Sequence, residues 1–268
     1  MRVKDKVIVV TGGGNGMGRE IVLELLGKGS KVVAVDINET ALEETVKLAG
    51  NKADSLMTVM ADITSKEAIR EAADRILSRF GAVDGIINNA GVIQPFRKVN
   101  DIDFDVVTRI FNINFFGSLN MIKVFLPHLL SRPEAHIVNV SSMGGFMPVT
   151  GQSIYGASKA ALKILSEGLS AELLDTQVRV TTVFPGAMAT NIKANSGLSS
   201  DARIERDRHS KKNRALSPAK AAEMIVNAIE KNKSRLYVGS DSKMLNLLYK
   251  FMPKAAVWLI YQVMKDKI

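Results

Sequence analysis

The sequence of 268 residues contains no cysteine. This absence excludes disulfide bonds, thiolate metal sites and a cysteine nucleophile. Histidine is also scarce: His128, His136 and His209 are the three present, and their spacing fits no metal site, so no metal is expected. The apolar run VIVV after MRVKDK ends at once in a threonine and glycines, which predicts no secretory signal and a cytoplasmic location.

Acidic residues are outnumbered by basic ones, and the formal net charge is +9. The densest basic stretch is RIERDRHSKKNR, residues 203–214, which also holds Glu205 and Asp207 but no aromatic residue. A nucleic-acid site usually adds aromatic side chains on which bases stack. We therefore predict no nucleic-acid binding and interpret the stretch as a solvated helix face that favours anionic substrates.

The composition, 46% hydrophobic and 24% charged, is that of a chain with a sizeable core. Continuous apolar, β-branched runs predict strands buried on both faces. They lie at 6–11, 31–36, 55–61, 85–90, 135–141, 178–184 and 235–239. Helical patterns alternate with them, most clearly at 18–28, 65–80, 104–130 and 152–174. This order predicts one α/β domain over residues 1–268, with about seven mostly parallel strands and helices on both faces.

The first strand runs directly into the glycine-rich sequence TGGGNGMGRE. Glycine lets a backbone turn sharply and approach a phosphate, and the free N–H groups of the following helix attract that phosphate. A glycine turn between a strand and a helix is where a Rossmann-type doubly wound fold binds its dinucleotide. The predicted contacts in this turn are Gly12, Asn15, Gly16, Met17 and Gly18.

The second strand ends in Asp36, 18 residues after Gly18. A carboxylate at this place accepts hydrogen bonds from the adenosine ribose and repels the 2′-phosphate of NADP. Position 15 holds asparagine rather than a cation that could pair with that phosphate. We therefore predict NAD as the cofactor, with Asp36 and Ile37 in contact with it; the alternative for Asp36 is a helix N-cap or turn residue.

Six motifs together resemble the short-chain dehydrogenase/reductase family. Thr11, Gly12, Gly16 and Gly18 form its TGxxxGxG pattern. The others are NNAG at 88–91, NINFFG at 112–117, SSMGG at 141–145, YGASK at 155–159 and PGAMAT at 185–190. They follow in the family's order and approximate spacing, so the resemblance covers residues 6 to about 190. It implies the Rossmann-type fold, a nicotinamide dinucleotide and a homotetramer or homodimer formed through the helices at 104–130 and 152–174.

Tyr155 and Lys159 stand four residues apart in YGASK, and in a helix they share one face. A neighbouring ammonium favours the phenolate, so we expect the pKa of Tyr155 to be lowered toward the working range. Tyr155 would then exchange a proton with an alcohol or ketone while hydride moves to or from the nicotinamide. The resemblance implies that Lys159 also binds the nicotinamide ribose. The alternative is a surface tyrosine and lysine four apart by coincidence.

Ser142 lies thirteen residues before Tyr155, where a hydroxyl can donate to the substrate oxygen. Ser141 is its competitor, and the resemblance places the active serine at Ser142. Asn114 resembles the family's asparagine that holds a water in a proton relay behind the lysine. Asn112 is the alternative there, and Asn114 could also be a polar residue without a role in catalysis.

Further cofactor contacts follow from the predicted strand ends. Asp62 and Ile63 are expected at the adenine edge, although Asp62 could also be the N-cap of the next helix. Asn89 is expected to brace the sheet, and Ala90 and Gly91 to let the cofactor pass close by. Beside the nicotinamide we place Pro185, Gly186, Met188 and Thr190, with the Thr190 hydroxyl bonding the carboxamide or a phosphate.

The last third of the chain is predicted to form the substrate end, with a covering loop at 191–216. The tail at 241–268 is apolar, is expected to be helical and is interrupted by Pro253. Its longest apolar run, from Ala255 to Met264, is about half the roughly twenty residues that a membrane-spanning helix needs, so we predict no transmembrane segment. Three interpretations stay open: a subunit interface, the wall of an apolar substrate pocket, or a basic helix lying on lipid.

The leading prediction is an NAD-dependent oxidoreductase that interconverts a secondary alcohol and its ketone. One alternative is an NADPH-type 3-oxoacyl reductase, in which 203–214 would meet a phosphorylated carrier. The other is a dinucleotide-sensing protein of the same fold without turnover. The presence of Asn114, Ser142, Tyr155 and Lys159 argues for the enzyme.

Overall fold

A computed structural model describes residues 1–188, 196 and 216–265. Its sheet has seven strands in the order β3-β2-β1-β4-β5-β6-β7. Every pairing between neighbouring strands is parallel, which confirms the predicted doubly wound sheet. The strands are β1 (Val7–Thr11), β2 (Lys31–Asp36), β3 (Leu56–Met60), β4 (Gly85–Asn88), β5 (Ala135–Val140), β6 (Val178–Pro185) and β7 (Arg235–Val238).

Helices cover both faces of the sheet. The described α-helices are α1 (Gly16–Gly27), α2 (Glu39–Ala49), α3 (Lys66–Phe80), α4 (Phe104–Phe111), α5 (Ser118–Leu130), α6 (Ser153–Glu172), α7 (Pro218–Glu230), α8 (Ser240–Phe251) and α9 (Pro253–Met264). Short 3₁₀ turns lie at Gly50–Ser55, Val99–Asp101 and Met143–Gly145. Of these helices, α2 and α7 to α9 are not among the clearest predicted ones.

The core has two layers because alternate residues of each strand face opposite sides. Ile8 and Val10 of β1 pack into a cluster with α1 and α7. Val7 and Val9 of the same strand pack into a second cluster with α3, α5 and α6. Burial on both faces explains why the strands are continuous apolar runs.

The helix predicted over 104–130 is confirmed, but it is not α-helical throughout. A π-helical stretch, Asn112–Gly117, separates α4 from α5. Such wider turns change which side chains face inward and are common at functional sites. Here Asn114 is buried inside the turn, while Asn112 is exposed. Gly117 packs so tightly against Ile63 that an added Cβ would lie 2.6 Å from the Ile63 side chain.

By length and composition alone, one segment of the described residues, Phe104–Leu130, is apolar enough to cross a membrane. In its most apolar stretch, 44% is buried inside the protein. Phe125 and Leu129 of the same segment are fully enclosed in the core. A core helix of an α/β domain meets the same criterion, so this segment gives only weak support for a membrane span.

Candidate active site

A cleft of about 860 Å³ opens at the carboxyl ends of the strands, beside the switch between β1 and β4. Ligands of open α/β sheets bind at this place, and the volume is in the range of a cofactor site. Most residues predicted from the sequence line it: Gly12, Asn15, Gly16, Met17, Asp36, Ile37, Asp62, Ile63, Asn89, Ala90, Gly91, Ser142, Tyr155, Lys159, Pro185, Gly186 and Met188. Gly18 and Asn114 lie behind its wall, and Thr190 lies outside the described residues.

The glycine turn fits a diphosphate group. Gly12 and Gly16 have positive φ angles, 67° and 52°, which glycine adopts without strain. Gly18 is buried directly against the carbonyl of Gly12, where a Cβ would collide with it. Asn15 is the N-cap of α1 and accepts a hydrogen bond from Gly16 N. Gly16 and Met17, at the start of this helix, line the cleft, and a helix start is a favourable place for a phosphate.

Asp36 is held at the end of β2 by two backbone donors. Its Oδ2 accepts from Gly14 N at 3.0 Å, and its Oδ1 accepts from Asn38 N at 3.1 Å. The N-cap of α2 is Asn38, so Asp36 is not a helix N-cap, but its bond to Asn38 N two residues on is that of a turn residue, the other part of the alternative. Arg19, on the neighbouring helix, donates to Gly14 O and pairs with Glu44 at 2.6 Å. Its guanidinium is thus already engaged by protein oxygens.

Asn89 ties β4 to β1, as predicted for a residue that braces the sheet. Its Nδ2 donates to Thr11 O at 3.0 Å, while Thr11 Oγ1 accepts from the backbone N–H groups of Asn89 and Ala90. These bonds fix the NNAG segment along the floor of the cleft.

The predicted N-cap alternative for Asp62 is wrong, because Ser65 is the N-cap of α3 and Asp62 Oδ1 accepts from Thr64 N instead.

Tyr155 and Lys159 lie one turn apart near the start of α6, as predicted. Lys159 is buried, and its Nζ donates to Val140 O at 2.9 Å. Ser141 Oγ donates to the Lys159 carbonyl at 2.8 Å, so this hydroxyl is occupied by the helix backbone. Ser142 Oγ instead accepts from Gly144 N at 3.1 Å, and its side chain is near enough to the Tyr155 hydroxyl to lower the pKa of that hydroxyl slightly. The geometry therefore favours Ser142 over Ser141 as the serine that faces a substrate.

The pKa of Tyr155 is shifted in the direction opposite to the sequence-based expectation. Burial raises the pKa of Tyr155 above its usual value of 10.0, and the hydrogen bond from Ser142 only partly opposes this. Burial also lowers the pKa of Lys159, to about 8. The largest cause of both shifts is loss of hydration, which disfavours the phenolate and the ammonium alike. At neutral pH Tyr155 is therefore a protonated phenol.

Asn114 joins the π-helical turn to helix α6. Its Nδ2 donates to Ser158 Oγ at 3.0 Å, and its amide exchanges hydrogen bonds with both backbone groups of Val92. A Cβ on Gly91 would lie 3.0 Å from Asn114 Oδ1 and 3.1 Å from Lys159 Nζ, so glycine lets both groups approach the NNAG segment. Asn114, rather than the exposed Asn112, thus reaches the neighbourhood of the lysine.

Little of the predicted substrate loop at 191–216 is described. Ser196 Oγ accepts from Ile93 N at 2.9 Å, and the Ser196 carbonyl accepts from Arg109 at 3.1 Å. Leu216 pairs with Met188 in a parallel bridge. Ile93, Arg109 and Met188 all line the cleft, so the chain meets the cleft wall at these points. The basic stretch 203–214 lies outside the described residues.

Gln94 is a site residue that the sequence analysis missed. It is completely buried, and its Oε1 accepts from Tyr155 N at 2.8 Å. Its Nε2 donates to Gly151 O, and Gln152 Nε2 donates back to the Gln94 carbonyl. Helix α6 has no side-chain cap of its own, so Gln94 caps it from a distant loop. The sequence signal for Gln94 was limited to its position directly after NNAGVI. Its contact with Tyr155 joins residues 61 positions apart, which no local pattern reveals.

Replacement of Gln94 by leucine is expected to lower turnover about tenfold and the free energy of unfolding by about 2 kcal/mol, because the N–H of Tyr155 loses its buried acceptor. Steady-state kinetics and thermal unfolding measure the two effects. Gln94→Glu keeps the acceptor and should recover part of the turnover. The exposed Gln177→Leu is the matched control. Wild-type kinetics in Gln94→Leu would contradict a positioning role for this side chain.

A parallel sheet with a glycine turn, an acidic residue at the end of β2 and a tyrosine–lysine pair on α6 defines the class of dinucleotide-binding α/β proteins. The family model described as short chain dehydrogenase matches residues 6–200. The chain therefore belongs to the short-chain dehydrogenase/reductase family, whose members are oxidoreductases that bind a nicotinamide dinucleotide and act on small molecules.

Known proteins resemble the chain along most of its length. SadH of Mycobacterium tuberculosis, named as an oxidoreductase, is 34% identical, with 92% of this chain and 91% of SadH covered. A short-chain dehydrogenase/reductase from Burkholderia phymatum, solved with NAD, is 25% identical, with a TM-score of 0.85 and coverage of 95% and 96%. A short-chain dehydrogenase from Burkholderia cenocepacia, solved with NADP, is 24% identical, with a TM-score of 0.80 and coverage of 97% of this chain and 99% of that one. At this identity the likeness supports the fold alone.

Proposed function

We propose that the protein is an NAD-dependent oxidoreductase that interconverts a secondary alcohol and its ketone. The observation that carries this proposal is the convergence of Ser142, Tyr155 and Lys159 at one end of the cleft, with Asn114 behind them. The glycine turn and Asp36 occupy the other end. A dinucleotide laid between the two ends would bring its nicotinamide to the tyrosine.

The residues present fit such a cofactor. The Gly12–Gly18 turn would hold the diphosphate, Asp36 the adenosine ribose, and Lys159 the nicotinamide ribose. Asp62 and Ile63, which line the cleft, would contact the adenine edge, and Pro185, Gly186 and Met188 would contact the nicotinamide. When bound, the nicotinamide supplies the acceptor or donor of a hydride.

Tyr155 performs the proton transfer in this mechanism. As a phenol it gives its proton to the carbonyl oxygen of a ketone, and as a phenolate it takes the hydroxyl proton of an alcohol. Ser142 donates a hydrogen bond to the same oxygen and stabilises the charge that develops there. Lys159 would hold the nicotinamide ribose beside the tyrosine, and Asn114, through Ser158, fixes the helix turn that carries both residues.

The preference for NAD is supported by Asp36 and Arg19. The Asp36 carboxylate lies at the cleft wall, where a 2′-phosphate would meet a like charge. Arg19, which could offset that charge, is engaged with Glu44 and Gly14. The likeness to the Burkholderia phymatum protein solved with NAD agrees with this proposal.

A panel of secondary alcohols with NAD and NADP, followed by the absorbance of the reduced nicotinamide, tests the proposal. We expect turnover with NAD and little with NADP. Asp36→Ser should raise the KM for NAD about tenfold and lower the KM for NADP by a similar factor, because a bidentate carboxylate contact and a repulsive charge are both removed. Asp54→Ser, at an exposed position, is the matched control. Wild-type preference for NADP would contradict the assignment.

We further propose a homodimer or homotetramer in the cytoplasm. Apolar side chains on the π-helical turn and on the two neighbouring helices support the assembly, since Phe104, Phe116 and Ile164 are 86%, 48% and 62% exposed. Isolated apolar residues on a surface are ordinary, but several on adjacent helices favour contact with another subunit. The absence of cysteine agrees with a reducing compartment.

A further inference from the structure

The two helices at the end of the described chain, α8 and α9, carry apolar side chains on their outer surfaces. On α8, Met244, Leu247 and Phe251 follow the spacing of one helical stripe and are 62%, 59% and 69% exposed. On α9, the exposed large apolar residues are Val257, Trp258, Leu259, Tyr261 and Val263. Only Ala256 and Ile260 of α9 are buried, so most of this helix has no partner among the described residues.

Lysines frame these apolar side chains. Lys243 and Lys250 are exposed on α8, and Lys254 and Lys265 flank the exposed aromatic residues of α9 at helical spacing. The sequence of α9 contains no carboxylate. The carboxylate of α8 is that of Asp241, whose Oδ2 accepts from Ala187 N at 2.7 Å. The outer surface of the pair therefore combines apolar area with uncompensated positive charge.

We propose that α8 and α9 dock the protein on an anionic lipid surface. Tryptophan and tyrosine prefer the boundary between acyl chains and headgroups, and lysines beside them reach the phosphates. A second copy of the chain fits less well. A two-fold contact between these helices would bring together more lysines than the carboxylates of Asp241 and Asp266 could pair with, whereas anionic headgroups supply the missing charge.

The docking helices lie beside the catalytic end of the cleft. Ile260 and Ala256 of α9 form a cluster with Met147, against which Met143 and Phe146 also pack. Met143 directly follows Ser142. Ser242 of α8 donates to Phe184 O at 2.8 Å, next to Pro185 of the cleft wall. Docking therefore holds the catalytic end near the lipid, and, if the proposed alcohol chemistry holds, it delivers apolar substrates dissolved in the bilayer.

Co-sedimentation of the full chain with phosphatidylcholine vesicles containing about 30% phosphatidylserine tests the docking. We expect binding to these vesicles, at least tenfold weaker binding to vesicles of phosphatidylcholine alone, and loss of binding in about 1 M salt. Trp258→Glu should weaken binding at least tenfold, and Lys254→Gln with Lys265→Gln roughly thirtyfold. Leu48→Glu, a substitution at a 59% exposed residue of α2, is the matched control.

Analytical ultracentrifugation without lipid tests whether a second copy of the chain covers α8 and α9 instead. The lipid proposal is overturned if the wild type is a dimer that the Trp258→Glu substitution dissociates, and if the wild type does not bind anionic vesicles. Equal vesicle binding by Trp258→Glu and Leu48→Glu overturns it as well. Coenzyme binding and turnover are measured in parallel without vesicles, so failure of the dehydrogenase assignment is read separately. A protein that docks but turns over no alcohol keeps this proposal and loses the proposed function.

Discussion

Replacement of Tyr155 by phenylalanine is expected to lower turnover about a thousandfold while leaving NAD affinity nearly unchanged. The variant keeps the ring and its packing in α6 but removes the hydroxyl that we propose exchanges a proton with the substrate. General acid–base catalysis by a positioned group commonly contributes a factor of about 100 to 10,000. Initial rates with the best alcohol of the panel, together with NAD titration by fluorescence quenching, measure the two quantities.

The pH dependence of the same reaction gives an independent reading of Tyr155. Since burial raises the pKa of its hydroxyl, the phenolate that alcohol oxidation needs forms only in alkaline solution. Oxidation in the wild type should therefore rise with pH beyond neutrality, whereas ketone reduction, which uses the phenol, should stay level and fall only where the phenol itself ionises. Tyr261→Phe, at an exposed position of α9, is the matched control. Equal turnover in Tyr155→Phe and wild type would contradict the catalytic assignment.

Replacement of Gly18 by alanine is expected to abolish measurable NAD binding and to lower the free energy of unfolding by about 2 to 3 kcal/mol. A Cβ at this position collides with the Gly12 carbonyl and with Asn89 Nδ2, so the turn must move away from the place where a diphosphate would bind. Denaturant unfolding and NAD titration measure the two effects.

Gly27→Ala is the matched control because Gly27 lies on the same helix. There an added Cβ would approach only Lys52 Nζ, at 3.8 Å. An alanine in a helix is favoured over glycine by up to about 1 kcal/mol, so this control should be as stable as the wild type or more stable. Normal NAD affinity in Gly18→Ala would mean that the glycine turn does not hold the diphosphate.

The strands and the cleft could be predicted because their causes are local in the sequence. Val7 to Thr11 form a β-branched run, and the glycines that follow are required by the backbone of the turn itself. Tyr155 and Lys159 share a face because of helical spacing alone. The order of strands and helices then brings these segments to one edge of the sheet, which confirms the predicted fold.

Other features depend on contacts between distant segments and left no periodic signal. The π-helical turn at Asn114 is stabilised by hydrogen bonds to Val92 and Ser158, both far along the chain. Gln94 caps a helix that begins 59 residues later, at Ser153. The direction of the Tyr155 pKa shift was predicted wrongly, because spacing shows the neighbouring charge but not how deeply the pair is buried.

The hydrogen bonds between β5 and α6 have a consequence for how new specificities arise. Lys159 Nζ donates to Val140 O, and Ser141 Oγ donates to the carbonyl of Lys159, so β5 and α6 are joined at the residues proposed to be catalytic. We therefore expect substitutions at the opposite wall of the cleft to change substrate preference without altering the proposed proton-transfer geometry.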